Sequence, residues 1–238
     1  MIVRAGVKIH FFPEVESTMD VARELARRGE TGAVVADIQR RGRGRHGRTW
    51  LSPRGGLYLT LILRSAPPRL SLLPLAAGVA VVRALRRLYG IEVRLKWPND
   101  LLYRERKLGG ILLEASFHRE IPEFILLGLG LNLNTPVSGE EPRAISLLEI
   151  LGHRVDRDEL LRVLLAEILH SLELSPEDIL RSWKSLSATL GQEVRVHTPH
   201  GEIRGRALDL TPQGGLLLET PEGLREVLSG DCIHLRST

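Results

Sequence analysis

Only one cysteine, Cys232, occurs in the 238 residues. No intramolecular disulfide can therefore form, and a reducing compartment, the cytoplasm, is expected. The longest apolar run, Leu72 to Val82, falls short of the ~20 residues that a transmembrane helix needs. Residues 1–8 carry no apolar stretch of signal-peptide length, which also points to the cytoplasm and away from a membrane. Patterned metal sites are missing too: the eight histidines include no His-Glu-x-x-His pair, and there is no Cys pair. No Gly-x-Ser-x-Gly elbow and no phosphate loop ending in Gly-Lys-Ser/Thr is present. What is left is electrostatic catalysis without a covalent nucleophile.

An excess of positive charge is also missing, except in one place. The chain has 33 Lys and Arg against 29 Asp and Glu, a net charge of +4. Setting aside Arg40, Arg41, Arg43, Arg45 and Arg48 leaves 28 basic groups against 29 acidic ones. The basic balance thus comes from one loop, residues 40–50, reading Arg-Arg-Gly-Arg-Gly-Arg-His-Gly-Arg-Thr-Trp. Duplex DNA needs a broad positive footprint, because each phosphate contact adds to affinity separately. A small, multiply charged anion suits this loop better. Guanidinium forks match carboxylate and phosphate oxygens, and the glycines allow close approach and closure over a ligand.

The order of elements argues for an α+β chain with a mixed, mainly antiparallel sheet and flanking helices. Strands are expected at 7–12, 33–39, 57–63, 93–97, 100–103, 107–117 and 123–133. Helices are expected at 18–28, 72–89, 156–172 and 175–186. Ser17 caps the first, with Asp20 in the capping-box place. From Gly191 onward five short apolar runs alternate with Gly- and Pro-rich turns, which reads as a small β-barrel module. Its five basic and seven acidic residues make it a poor nucleic-acid binder. The division expected is a catalytic domain over 1–188 and a β domain over 189–238.

Gly42-x-Gly44-x-x-Gly47 has the spacing of a dinucleotide fingerprint, but that motif must open a helix. Here Ser52-Pro53-Arg54-Gly55-Gly56 leads into a strand instead. Three further segments carry chemistry: Lys96-Trp97-Pro98-Asn99-Asp100, Lys107-Leu108-Gly109-Gly110 through Glu114, and Gly128-Leu129-Gly130-Leu131-Asn132. Glycine inside a strand is unfavourable unless a bulge or a close ligand needs the room. Two such strands beside an arginine loop point to a pocket.

In their joint order these segments resemble the biotin protein ligase family, from about Val7 to the C-terminus. The resemblance implies a catalytic domain related to class II aminoacyl-tRNA synthetases and a C-terminal SH3-like β-barrel. It looks like the short form without the DNA-binding domain, so no DNA partner is implied. It further implies that biotin and ATP, with Mg2+, give biotinyl-5′-AMP, and that biotin then passes to a lysine of a biotin carboxyl carrier protein domain. By the same resemblance, Ser17, Thr18, Met19, Gln39, Gly42, Arg43, Gly44, Arg45, Lys107, Gly109 and Gly110 would hold biotin. Arg43, Arg45, Arg48, Trp50, Asn99, Asp100, Lys107 and Asn132 would surround ATP and the adenylate. Lys107, Arg45 and Arg48 would carry the catalytic charge, Trp50 would pack on adenine, and no metal ligand is assigned. Met19 departs from the family's usual Asn, and Arg40 and Arg41 have no assigned role. A homodimer is implied as well. Two other readings stand beside this one: a lipoate-type protein ligase, and a basic RNA-binding adaptor.

Overall fold

The computed structural model describes residues 2–4, 6–64, 70–137, 139 and 143–235. The ends of the two expected domains, Met1 and 236–238, lie outside that range.

Eight strands form one sheet: β1 (Ile2–Arg4), β2 (Val7–Phe12), β3 (Gly32–Ala36), β4 (Leu57–Leu63), β5 (Val93–Lys96), β6 (Asp100–Tyr103), β7 (Arg106–His118) and β8 (Ile121–Leu131). Their spatial order is β1-β2-β3-β4-β8-β7-β6-β5. Only β2 and β3 run parallel, joined by helix α1 (Thr18–Arg27); every other named pair is antiparallel. The expected strand 33–39 stops at Ala36, and Gln39 forms isolated bridges with Val15 and Ser52 instead.

Alternation along the central strands gives the sheet two different faces. Leu57, Leu59 and Leu61 of β4, with Leu127, Leu129 and Leu131 of β8, face the main core. Helices α2 (Leu73–Tyr89), α4 (Arg157–Leu172) and α5 (Pro176–Ser185) cover that side. The buried stripe of α2 runs from Leu73 to Leu85, and Gly90 ends the helix in the left-handed region at φ 66°. Ile62, Phe124 and Leu126 point the other way, into a smaller core under α1 with Met19, Ala22 and Ala26. Beyond the end of α1 that second face is open, and there Gly110, Gly128 and Gly130 stand in cross-strand register with Asp100, Leu112 and Tyr58.

Two elements lie outside the sequence expectation. Strand β1 is three residues long, and α3 (Leu147–Leu151) is a single turn closed by a Ser146–Glu149 capping box. Conversely, Asp20 closes no capping box. Ser17 Oγ accepts from Met19 N at 3.3 Å, and Asp20 turns toward Arg23 and Arg43.

The C-terminal strands fall where the apolar runs put them: β9 (Glu193–Thr198), β10 (Gly201–Leu210), β11 (Leu216–Thr220), β12 (Gly223–Val227) and β13 (Asp231–His234). The expected barrel closure is not found. The order is β12-β11-β10-β9-β13, and β12 and β13 do not pair. An open sheet is tolerated because its edges are managed. Charged Arg225 and Glu226 occupy β12, and the arginine loop covers the start of β13. Val194, Val196, Ala207, Leu216 and Leu218 join the main core, so the two sheets share one apolar interior. Trp97 ties them: its backbone N–H donates to Thr189 Oγ1 and its indole N–H to Gly214 O, both at 3.0 Å. Among the described residues no helix is long and apolar enough to cross a membrane.

Candidate active site

The glycine hollow is the floor of a cavity of about 410 Å³. Its shape follows from absent side chains. A Cβ on Gly130 would come within 2.6 Å of the Trp50 indole nitrogen, and one on Gly128 within 2.8 Å of Met19 Sδ. The indole therefore lies flat over a strand that has nothing to lift it. Lys107 Nζ sits 5.3 Å from the centre of the Trp50 ring and 2.6 Å from Asp100 Oδ1. The Trp50 Nε1 proton is buried without a partner among the described residues.

The backbone of Lys107 is fixed from both sides. Beyond its place in the sheet, its N–H donates to Arg143 O at 2.7 Å and its carbonyl accepts from Ile145 N at 2.9 Å. Asn132 secures that extra segment, donating from Nδ2 to Ile145 O at 3.2 Å while its own carbonyl accepts from Leu147 N. Asn132 thus steadies the lysine's surroundings and does not line the cavity.

At one end of the cavity stands an uncharged polar chain. Gln39 Oε1 accepts from the Thr18 backbone N–H at 2.9 Å and from Thr18 Oγ1 at 3.0 Å. Gln39 Nε2 donates to Ser52 Oγ, which donates to Trp50 O, and Thr60 Oγ1 donates to Thr18 Oγ1, each at 2.9 Å. One Nε2 proton of Gln39 is left over. Met19, Leu112 and Gly128 complete this end with apolar surface.

The arginine loop is a miniature hairpin. Arg43 bridges Thr49, Gly44 N donates to Arg48 O at 2.8 Å, and Trp50 N donates to Gly42 O at 2.9 Å. A 3₁₀ turn (Arg45–Gly47) makes the tip, with His46 at φ 55° and Gly47 at φ 72°. No helix follows, which removes the dinucleotide reading. Gly42 is needed for close approach, since a Cβ there would strike Trp50 O and Ser52 Oγ.

Each arginine has a distinct fate. Arg40 pairs with Glu14 and Arg41 with Glu16 at 3.4 Å, so both clamp the loop's base to the segment before α1. Arg43 Nη2 lies 2.8 Å from Asp20 Oδ1 and 3.6 Å from Glu114 Oε1, without hydrogen-bond alignment. Arg48 pairs with Asp231 of the C-terminal sheet. Arg45 reaches across the cavity, donating to Asn99 Oδ1 at 3.3 Å and to Gly230 O at 3.0 Å. Burial lowers the Arg45 pKa from its ordinary value, with Asp100 opposing and Arg48 assisting.

Of the residues the sequence singles out, Thr18, Met19, Gln39, Arg43, Gly44, Arg45, Arg48, Trp50, Asn99, Asp100, Lys107 and Gly110 line this one cavity. Ser17, Gly42, Gly109 and Asn132 do not. Ser17 caps α1, and a Cβ on Gly109 would point into the core at Leu101 Cδ1. Sequence reasoning missed Ser52, which extends the polar chain, and Lys96, Asp231, Cys232 and Ile233, which wall the far end. Burial pushes the Cys232 thiol up to about 11.

Residues 11–132 match the model of the Biotin/lipoate A/B protein ligase family, and residues 189–235 match the Biotin protein ligase C terminal domain. A biotin--[acetyl-CoA-carboxylase] ligase from Mycobacterium tuberculosis is 35% identical, over 99% of this chain and 93% of that protein. The bifunctional ligase/repressor BirA of Escherichia coli is 33% identical, over 98% of this chain and 75% of its own length. Among solved structures, a biotin protein ligase from Aquifex aeolicus in complex with biotin and ATP superposes with a TM-score of 0.84 at 36% identity, covering 96% of this chain and 99% of that one. The fold, the glycine hollow, the arginine hairpin and these likenesses agree: the chain belongs to the biotin protein ligase family.

Proposed function

We propose that this chain is an ATP-dependent biotin–[biotin carboxyl carrier protein] ligase that makes biotinyl-5′-AMP and passes biotin to a carrier lysine. The observation that carries the reading is the division of the cavity. An uncharged polar and apolar end around Thr18, Gln39 and Met19 adjoins a glycine floor under Trp50; Arg43 at this end is answered by Asp20 and Glu114, while Lys107, Arg45 and Arg48 lie beyond the floor. That arrangement suits a neutral bicyclic ring whose carboxylate meets the α-phosphate of a nucleotide.

The chemistry needs no general base, because the carboxylate is already ionised at neutral pH. The obstacle is repulsion between carboxylate and triphosphate, together with the charge that builds on the α-phosphate. Preorganised cations in a partly closed site answer both. Lys107, fixed beside Trp50 and balanced by Asp100, would take the junction. Trp50 would offer its face to adenine, and Arg45 would close the cavity over the adenylate and exclude water. Mg2+ fits as a partner of ATP: no three His, Cys, Asp or Glu side chains cluster among the described residues, while Asp100 and Asp231 face the cavity. An ion held mainly by phosphates and water needs only one or two such carboxylates.

The leftover Gln39 Nε2 proton favours biotin over lipoate, because a ring without a C=O group would leave that donor unmatched. The RNA-binding reading loses its basis, since Arg40, Arg41, Arg43 and Arg48 each face a carboxylate. The domain division at about residue 188 and a reducing, cytoplasmic setting belong to the same proposal. So does a homodimer, which would use the β1 edge, because β5 is already bridged from Leu95 to Ser187. Biotin-dependent ATP–pyrophosphate exchange by the purified protein is the test. Exchange that requires biotin and is not supported by lipoate is expected; exchange with lipoate alone would overturn the assignment.

A further inference from the structure

The cations around the cavity are not equivalent. Lys107 faces Asp100, Arg48 faces Asp231, and Arg43 faces Asp20 and Glu114. Lys96 also lines the cavity and is half-buried, and its side-chain ammonium has no hydrogen-bond or ion-pair partner among the described residues. It ends the edge strand β5, in register with Asp100 across the hairpin that holds the Trp97-Pro98-Asn99 turn. Its charge is felt by the C-terminal sheet, where it helps to depress His234 and opposes the rise of Cys232.

Strand order fixes where Lys96 stands relative to the reaction. One transverse row runs Tyr58, Gly130, Gly110, Asp100, Lys96, crossing β4, β8, β7, β6 and β5. The uncharged end of the cavity lies on the β4 and β8 side, and Trp50 and Lys107 stand over β8 and β7. Lys96 is three strand spacings beyond Gly130, roughly 14 Å at the usual interval between strands. Attack at the α-phosphate is in line: the carboxylate oxygen bonds to phosphorus as the bond to the bridging oxygen of the β-phosphate breaks, and the electron pair leaves with pyrophosphate. A carboxylate arriving from the β8 side must expel its leaving group toward β6 and β5.

We propose that Lys96 is the pyrophosphate-gripping residue of this site, an ammonium kept without a protein carboxylate so that it pairs with the β- and γ-phosphates as they depart. The inference rests on the ligase reading above and adds to it a place for the leaving group. A neutralised cation at this end would already have its charge answered. An unpaired one gains most when two adjacent phosphates arrive, because hydrogen bonds to charged groups are the stronger kind.

The test compares wild type with Lys96→Met and Lys96→Arg in three measurements: biotin affinity, pyrophosphorolysis of the enzyme-bound adenylate by magnesium pyrophosphate, and transfer from preformed adenylate to a carrier domain. Lys96→Met is expected to lower pyrophosphorolysis efficiency by roughly ten- to a hundred-fold, the range of one charged hydrogen bond. Biotin affinity and transfer should be unchanged, which also reports an intact fold, and Lys96→Arg should recover most of the loss. Wild-type pyrophosphorolysis in Lys96→Met, or an equal loss in transfer, would overturn the role while leaving the ligase reading in place. A wild-type protein that forms no adenylate would overturn the reading and the inference together.

Discussion

Gly130 and Gly128 do different work although they lie two residues apart on the same face. Gly130 gives the Trp50 indole its seat, whereas Gly128 makes room for the flexible end of Met19. Overpacking a rigid ring costs about 1–3 kcal/mol, and a methionine can turn aside for less. Gly130→Ala should therefore raise the KM for ATP by about tenfold with little effect on biotin affinity, measured by exchange kinetics and calorimetry. Gly128→Ala should act in the opposite sense, on biotin and mildly. An equal effect of both variants on both ligands would contradict the assignment of two subsites. Met19 itself contributes apolar surface at the Thr18 and Gln39 end of the cavity.

At the scale of elements, what the sequence revealed was whatever is local. Leu57–Leu63 is a short apolar run, Gly90 stops α2, Asp156 and Ser175 cap their helices, and all five C-terminal runs became strands. The paired glycines also announced a hollow, because an unsubstituted position in a strand has few other uses. What stayed hidden depends on contacts between distant segments. Arg45 meets Gly230 across 185 residues, and no motif near either one records it. The gap between β12 and β13 was hidden for the same reason: apolar runs tell where strands are, not whether the last pairs with another. Gly109 and Gly110 read alike in sequence, yet register sends one into the core and the other into the cavity. On the proposed reading the hairpin of Arg43, Arg45 and Arg48 would act as a flap, with its far contacts on Gly230 and Asp231 of the C-terminal sheet. Arg45→Ala removes its link to Asn99 and Gly230, so bound adenylate should escape and label lysines indiscriminately. Release followed by rapid gel filtration would check this, and retention equal to wild type would refute the flap.

The whole molecule is one interior shared by two sheets, and a titratable group sits at their junction. His234 Nε2 lies 3.0 Å from Thr189 Oγ1, the same hydroxyl that accepts from Trp97 N. Burial, with the Lys96 charge assisting, lowers the His234 pKa to about 4. In the unfolded chain it would stay near 6.5, so the unfolded state binds more protons between those values. Stability should then be whole above about pH 6.5 and fall as pH drops toward 4, by at most about 1.4 kcal/mol per unit and by less given the ring's partial exposure. Thermal melts of wild type and His234→Gln across that window should converge at the acid end. Parallel curves would show that His234 is not the group responsible. The proposed activity requires a cavity that joins biotin to a nucleotide and keeps the product. Native mass spectrometry of the purified protein after mixing with biotin and magnesium ATP reads that directly. A bound species with the mass of biotinyl-5′-adenylate, absent when either substrate is withheld, is the predicted result; a spectrum showing only the free protein, or biotin and ATP bound but never joined, would contradict it.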